Sequence, residues 1–142
     1  MKAEINQLTE QVIGAAIEVH RERGPGLLES AYQRALAHEL RLRGVAFEEQ
    51  TLCPIKYKDL IIDDAYRLDF IIGGLVVVEL KTMEALLDVH DAQLLTYLKF
   101  TGCHIGLLFN FRSPSSHVVC VALLCDLCDS SVHSVTQWFN PV

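Results

Sequence analysis

The chain has 142 residues, 51% of them apolar, and a formal net charge of −6. That length suits one domain with a buried core and is short for two. The acidic balance argues against a protein that coats nucleic acid through a basic surface, but not against an enzyme whose bound cations supply positive charge locally.

Ile5, Leu8, Val12, Ala15, Ala16 and Val19 recur at helical spacing and predict a first helix over residues 5–22, ended by Gly24-Pro25-Gly26. This opening is amphipathic and charged, unlike a secretory leader. A second helix is expected from about Leu28 to Arg43, with Gly44 as its stop. Leu52 to Lys58 alternates as a strand does. Tyr66 to Ile72 and Leu75 to Lys81 are rich in β-branched residues and are joined by Gly73-Gly74, a hairpin signal. Asp88 to Phe100 reads as a helix with Val89, Ala92 and Leu95 toward the core, and His104 to Phe111 as another strand. The order α-α-β-β-β-α-β implies an α/β fold, a mixed sheet flanked by helices.

The texture changes after Asn110. Ser113-Pro114-Ser115-Ser116 is a loop, His117 to Cys125 a strand or short buried helix, and Ser130 to Val142 a mixed polar tail. The shift divides the chain into a domain over 1–112 and a divergent extension over 113–142 that packs on it. The longest apolar run, Val118 to Cys125, is too short to span a bilayer. Five cysteines, an odd number at low density, point to reduced thiols and a cytoplasmic location. Cys120, Cys125, Cys128 and His117 or His133 offer a weak zinc pattern, since one Cys-x-x-Cys lacks a second pair. The plainer reading is thiols acting as small hydrophobes.

Three charged residues stand inside apolar runs. Glu79 and Lys81 are two apart at the end of a strand, so they share a face, while Leu80 turns to the other. Asp69 lies in the preceding strand within Leu68-Asp69-Phe70-Ile71. Such charges are costly to bury unless they pair or bind a metal. If only Gly73-Gly74 formed the turn, Asp69 would pair with Val78 and lie off the Glu79 face. A shared metal site therefore predicts a bulge or a three-residue turn between Ile72 and Val76. Paired carboxylates suit Mg²⁺, which keeps several waters and can activate one against a phosphodiester. A neighbouring lysine can orient that water or stabilise developing charge. The structural alternative is a salt bridge between Lys81 and a carboxylate.

These residues and their order resemble the GxxExxY family of the PD-(D/E)XK nuclease superfamily. The naming motif is Gly26-Leu27-Leu28-Glu29-Ser30-Ala31-Tyr32, preceded by Ala15-Ala16-Ile17-Glu18-Val19-His20. Tyr66-Arg67-Leu68-Asp69, Val78-Glu79-Leu80-Lys81 and Gln93-Leu94-Leu95-Thr96-Tyr97-Leu98-Lys99 follow, and the similarity runs to about Asn110. The resemblance implies a restriction-endonuclease-like core. It implies that Asp69, Glu79 and the backbone carbonyl of Leu80 hold Mg²⁺ or Mn²⁺, with Glu29 joining directly or through water, and that Lys81 is the catalytic lysine. Gln93 and Tyr97 match a QxxxY element on one helical face, with His90 one turn earlier. His90, Lys99 and Arg67 would contact the substrate, with Lys56 and Lys58 as further phosphate contacts; a solvated surface is the equal alternative for Lys56, Lys58, Arg67 and Lys99.

Each has a plainer role as well. Glu29 can favour a helix N-terminus, His20 can pack or cap its helix, and Tyr32 can belong to the core. The resulting expectation is a metal-dependent hydrolase of nucleic-acid phosphodiesters, its substrate DNA, leaving a 5′-phosphate. It would work as a homodimer or with a partner protein, and away from membranes. The alternative is a catalytically silent module of the same fold that binds nucleic acid or protein.

Overall fold

The computed structural model describes residues 2–112, 118–125 and 132–139. Its elements are α1 (Lys2–Arg23), α2 (Glu29–Leu42), β1 (Phe47–Tyr57), β2 (Leu60–Ile72), β3 (Val76–Lys81), α3 (Asp88–Thr101), β4 (Ile105–Asn110), β5 (Val118–Cys125) and β6 (Val132–Phe139). Among the described residues the strands form one sheet in the order β1-β2-β3-β4-β5-β6. β3 and β4 run parallel, and the other neighbours are antiparallel. A parallel pair needs a crossover, and α3 supplies it. The predicted order is met through β4, and two strands follow where the sequence offered one short element and a tail.

The two sheet faces are covered differently. Val12, Ala15, Ala16 and Val19 of α1, with Tyr32, Leu36 and Leu40 of α2, pack on Phe70, Ile72, Val76, Val78, Leu80, Leu107 and Phe109. On the other face Leu94, Tyr97 and Leu98 of α3 pack on Cys53, Leu68, Val77, Leu108 and Val121. β3 is buried from Val76 to Leu80, which is why it reads as a continuous apolar run rather than an alternation. Gly106 lets α3 come close: a Cβ there would meet the Leu94 side chain at 2.8 Å.

α3 is rotated from the predicted setting. Val89 is 63% exposed and Ala92 is exposed, while Leu95 packs at the core margin. Leu94, Tyr97 and Leu98 take the buried positions because Tyr97 turns into the core and carries its neighbours with it. β1 begins at Phe47, five residues before the expected start, since Glu48, Glu49 and Gln50 are exposed on an edge strand. Cys120 is a buried core thiol, pushed up to about 12 by burial. Five residues of strand put Cys120 about 17 Å from Cys125, too far to share a tetrahedral zinc. His117 and Cys128 lie outside the described residues, as do the side chains of Cys125 and His133. Among the described residues no helix is long and apolar enough to cross a membrane.

Candidate active site

The β2–β3 turn sets the site. Ile72 pairs with Val76, Ile71 with Val77 and Phe70 with Val78. The loop is therefore Gly73-Gly74-Leu75, a three-residue turn closed by the Leu75 N–H donating to the Ile72 carbonyl at 3.0 Å. Both glycines sit at positive φ, +57° and +70°, where other residues are strained. In this register the next pair is Asp69 opposite Glu79, as the shared site requires.

The backbone ladder stops at Phe70 and Val78, and the carboxylates continue it. Glu79 Oε1 accepts the Asp69 N–H at 2.9 Å, and Asp69 Oδ2 accepts the Leu80 N–H at 2.9 Å. β2 also rolls over here. Phe70 and Ile72 pack on the α1–α2 face, whereas Tyr66 and Leu68, of the same parity, pack toward α3. Across from Asp69, Gln50 adopts φ +50°. Its amide donates to Gln33 Oε1 of α2 at 2.7 Å and reaches Asp69 Oδ1 at 3.5 Å.

Two carboxylates meet in a poorly solvated place. Glu79 is 5% exposed. Burial, then the charge of Asp69, pushes its carboxyl up to about 8, against the opposing pull of the Asp69 N–H and Lys81. Burial also raises Asp69, countered by the Leu80 N–H and Lys81. Glu29 is raised by burial; Lys81 lowers it and Asp69 raises it, so α2 brings this acid within electrostatic reach of both. Like charges forced together hold a proton between them, and a cation placed there removes the reason for it.

The donor set fits a hard divalent cation. Among the described residues there is no group of three or more His, Cys, Asp or Glu arranged to hold a metal. Mg²⁺ needs only one or two carboxylates and retains its waters. A third oxygen is available, because a strand residue turns its carbonyl to the same side as its N–H, and the Leu80 N–H faces Asp69. Asp69, Glu79 and the Leu80 carbonyl would hold the ion, with Glu29 beside them.

Lys81 is half-buried and lines a cleft of ≈ 480 Å³ with Tyr66, Val89, His90, Ala92, Gln93 and Thr96. The structure thus brings Lys81, Gln93 and His90 to one opening. Tyr97 does not share it: it is 2% exposed and packs edge-on against Tyr66 at 5.3 Å. Burial, then the charges of Glu79 and Asp69, hold its hydroxyl above the ordinary phenol value. His90 Nδ1 accepts the Leu87 N–H at 2.9 Å, closing the first turn of α3 and leaving the ring proton on Nε2. Lys99 and Arg67 are exposed and outside the cleft lining.

Tyr32 is fully buried and stacked on Phe111 at 4.5 Å, and His20 is buried beside the same ring. Sequence reasoning missed Asn110, which is 5% exposed. Its amide donates to the Met83 carbonyl at 2.8 Å, and its Oδ1 accepts the Met83 and Arg112 N–H groups. It clamps the segment that leaves Lys81. The available signal was a lone polar residue ending an apolar strand. Gln50 gave no signal, because its backbone conformation is not written in its side chain.

Among known protein families, a model described as the PD-(D/E)XK nuclease superfamily matches residues 6–120. The match passes Asn110, where similarity was expected to fade, and reaches into β5. Neither curated proteins nor solved structures gave a match.

Proposed function

The chain belongs to the PD-(D/E)XK nuclease superfamily, and on that premise we propose that it is a metal-dependent nuclease of the GxxExxY group. The subgroup rests on Gly26-Leu27-Leu28-Glu29-Ser30-Ala31-Tyr32. The activity rests on one observation: a three-residue turn sets Asp69 opposite Glu79, with Lys81 next on the same face.

Mg²⁺ or Mn²⁺, held by Asp69, Glu79 and the Leu80 carbonyl, would supply an activated water and neutralise charge on the scissile phosphate. Asp69 and Glu79 would both be ionised to hold it. Lys81 donates from the cleft wall, orienting the attacking water and stabilising charge on the phosphoryl oxygens. Gln93 and the His90 Nε2–H donate to the nucleic acid lying in the cleft. Tyr97 supports that wall through its contact with Tyr66. DNA is the favoured substrate, a 5′-phosphate the expected product, and a second copy or a partner protein would complete the grip. Residues 113–142 are read as an extension whose β5 pairs with β4.

The experiment is cleavage of labelled DNA and RNA with Mg²⁺ or Mn²⁺, comparing wild type with Asp69→Ala and Lys81→Ala. Metal-dependent cutting that both substitutions abolish supports the reading. Equal cutting by all three assigns the activity to a contaminant. One observation favours a second reading, a silent module that binds without turnover: an oxygen of each carboxylate is already engaged by a backbone N–H. Absence of cutting with either metal would select it.

A further inference from the structure

A second hollow opens at the same end of the sheet, on the α1–α2 side. It has a volume of ≈ 270 Å³ and is lined by Gly26, Leu27, Tyr32, Thr82 and Arg112. None of these lines the cleft under α3. Thr82 nevertheless follows Lys81 directly, so hollow and cleft flank the end of β3.

Buried polar groups fix both walls. The Tyr32 hydroxyl donates to the Gly24 carbonyl and accepts the Leu27 N–H at 3.3 Å, fastening the loop ahead of α2. This accounts for the spacing of Gly26 and Tyr32 in the motif: the ring reaches back to hold the turn. Opposite, the buried Asn110 holds Met83 and the Arg112 N–H, so Thr82 and Arg112 come to the hollow from a clamped backbone.

The lining combines a guanidinium, a hydroxyl and a phenol. Arg112 pairs at 3.3 Å with Glu84, which is 85% exposed. Such a surface pair is weak and easily exchanged for another anion. A guanidinium with a hydroxyl beside it suits a phosphate oxygen. The volume falls below that of pockets for whole drug-sized ligands, roughly 300–1,000 Å³, and suits a phosphate with its sugar. Leu27, 37% exposed, offers that sugar an apolar surface.

We propose that this hollow binds the phosphodiester next to the scissile one, so that a nucleic-acid strand crosses the end of β3 from hollow to cleft. The inference rests on the nuclease reading and adds a second phosphate contact to it. Arg112 pairs with the phosphate in place of Glu84, and Thr82 donates its hydroxyl. Recognition then needs a polymer spanning both openings.

Fluorescence anisotropy tests this with the full chain and Ca²⁺ as cation, using labelled single-stranded DNA and RNA of one sequence across a salt series. Arg112→Ala should bind roughly tenfold more weakly. Its dependence of log affinity on log salt should be shallower by about 0.7, one phosphate contact on a single strand. Arg112→Lys should restore the salt dependence. Thr82→Val, which keeps the charge, should weaken binding about threefold with the salt slope unchanged. A loss confined to DNA or to RNA names the polymer; a loss with both assigns the shared phosphodiester. An unchanged affinity and slope for Arg112→Ala on both polymers overturns the proposal, as does a wild type that binds neither. Cleavage assays on Lys81→Ala judge the nuclease reading separately, because the salt slope needs no turnover.

Discussion

The two ends of the β2–β3 pair differ in how they are held. At the Gly73-Gly74-Leu75 end, backbone bonds close the ladder and the flanking residues are apolar and buried. At the other end the ladder parts, and two carboxylates bond to the backbone across the gap. The closed end is built for stability. The open end leaves two acids facing each other, an arrangement that raises energy until something positive arrives. Apolar burial and acidic charge are separated along one hairpin by a few residues.

The largest effect is expected where the open end loses one charge but keeps its shape. Asp69→Asn retains an acceptor for the Leu80 N–H and removes the repulsion with Glu79. Cleavage should fall about a thousandfold under single-turnover conditions. The metal-free protein should instead melt roughly 3–5 °C higher, about 1 kcal/mol, by scanning calorimetry. A protein that loses both activity and stability would show that the carboxylate pair supports the fold.

Next comes the pH response of that end. The folded-state value of Glu79, about 8, lies above its ordinary 4.5. Between these values the folded chain holds a proton that the unfolded chain has released, so metal-free stability should fall as pH rises from about 4.5 to about 8. Denaturant melts across that window should show the decline. Glu79→Gln should flatten it, and Mg²⁺ or Mn²⁺ should offset it above neutrality by binding the ionised pair. A flat wild-type profile would place the proton elsewhere.

The closed end should answer in stability alone. A Cβ at Gly73 would meet Leu8 Cδ1 at 2.9 Å, and its φ of +57° disfavours other residues. Gly73→Ala should cost about 1–2 kcal/mol in thermal melts and leave cleavage near wild type well below the melting temperature. A cleavage loss larger than the stability loss would mean that the turn slips and carries Asp69 off the Glu79 face.

A further effect belongs beside the open end, where Asn110 of β4 pairs with Lys81. Asn110→Ala removes three hydrogen bonds around Met83 and Arg112. It should cost about 1–3 kcal/mol of stability and lower turnover only severalfold, by loosening the segment after Lys81. The ratio of kcat to KM effects separates this from damage to the carboxylates, which would appear in kcat.

Much of the fold was legible because its signals are short-range. The helix stripe of α1, the buried run of β3 and the glycine turn are each encoded within a few residues. The turn was narrowed by a parity argument: acids at positions 69 and 79 can face each other only if an odd number of residues separates their strands or one strand carries a bulge. β6 was not legible, since Val132–Phe139 reads as a mixed polar segment and becomes a strand by pairing with β5. The long β1–β2 hairpin was read only in part, because its far end is exposed and carries no core pattern.

The sequence by itself determined which acids and which lysine are available, the shared face of Glu79 and Lys81, and the element order through β4. Tertiary structure decided how they meet. β2 rolls at Asp69 opposite a strained Gln50, α3 turns Tyr97 inward beneath Gln93, and Asn110 clamps a segment 27 residues away in sequence. These depend on pairings between distant strands and on which side chains fill the core, and no local window of residues carries that information.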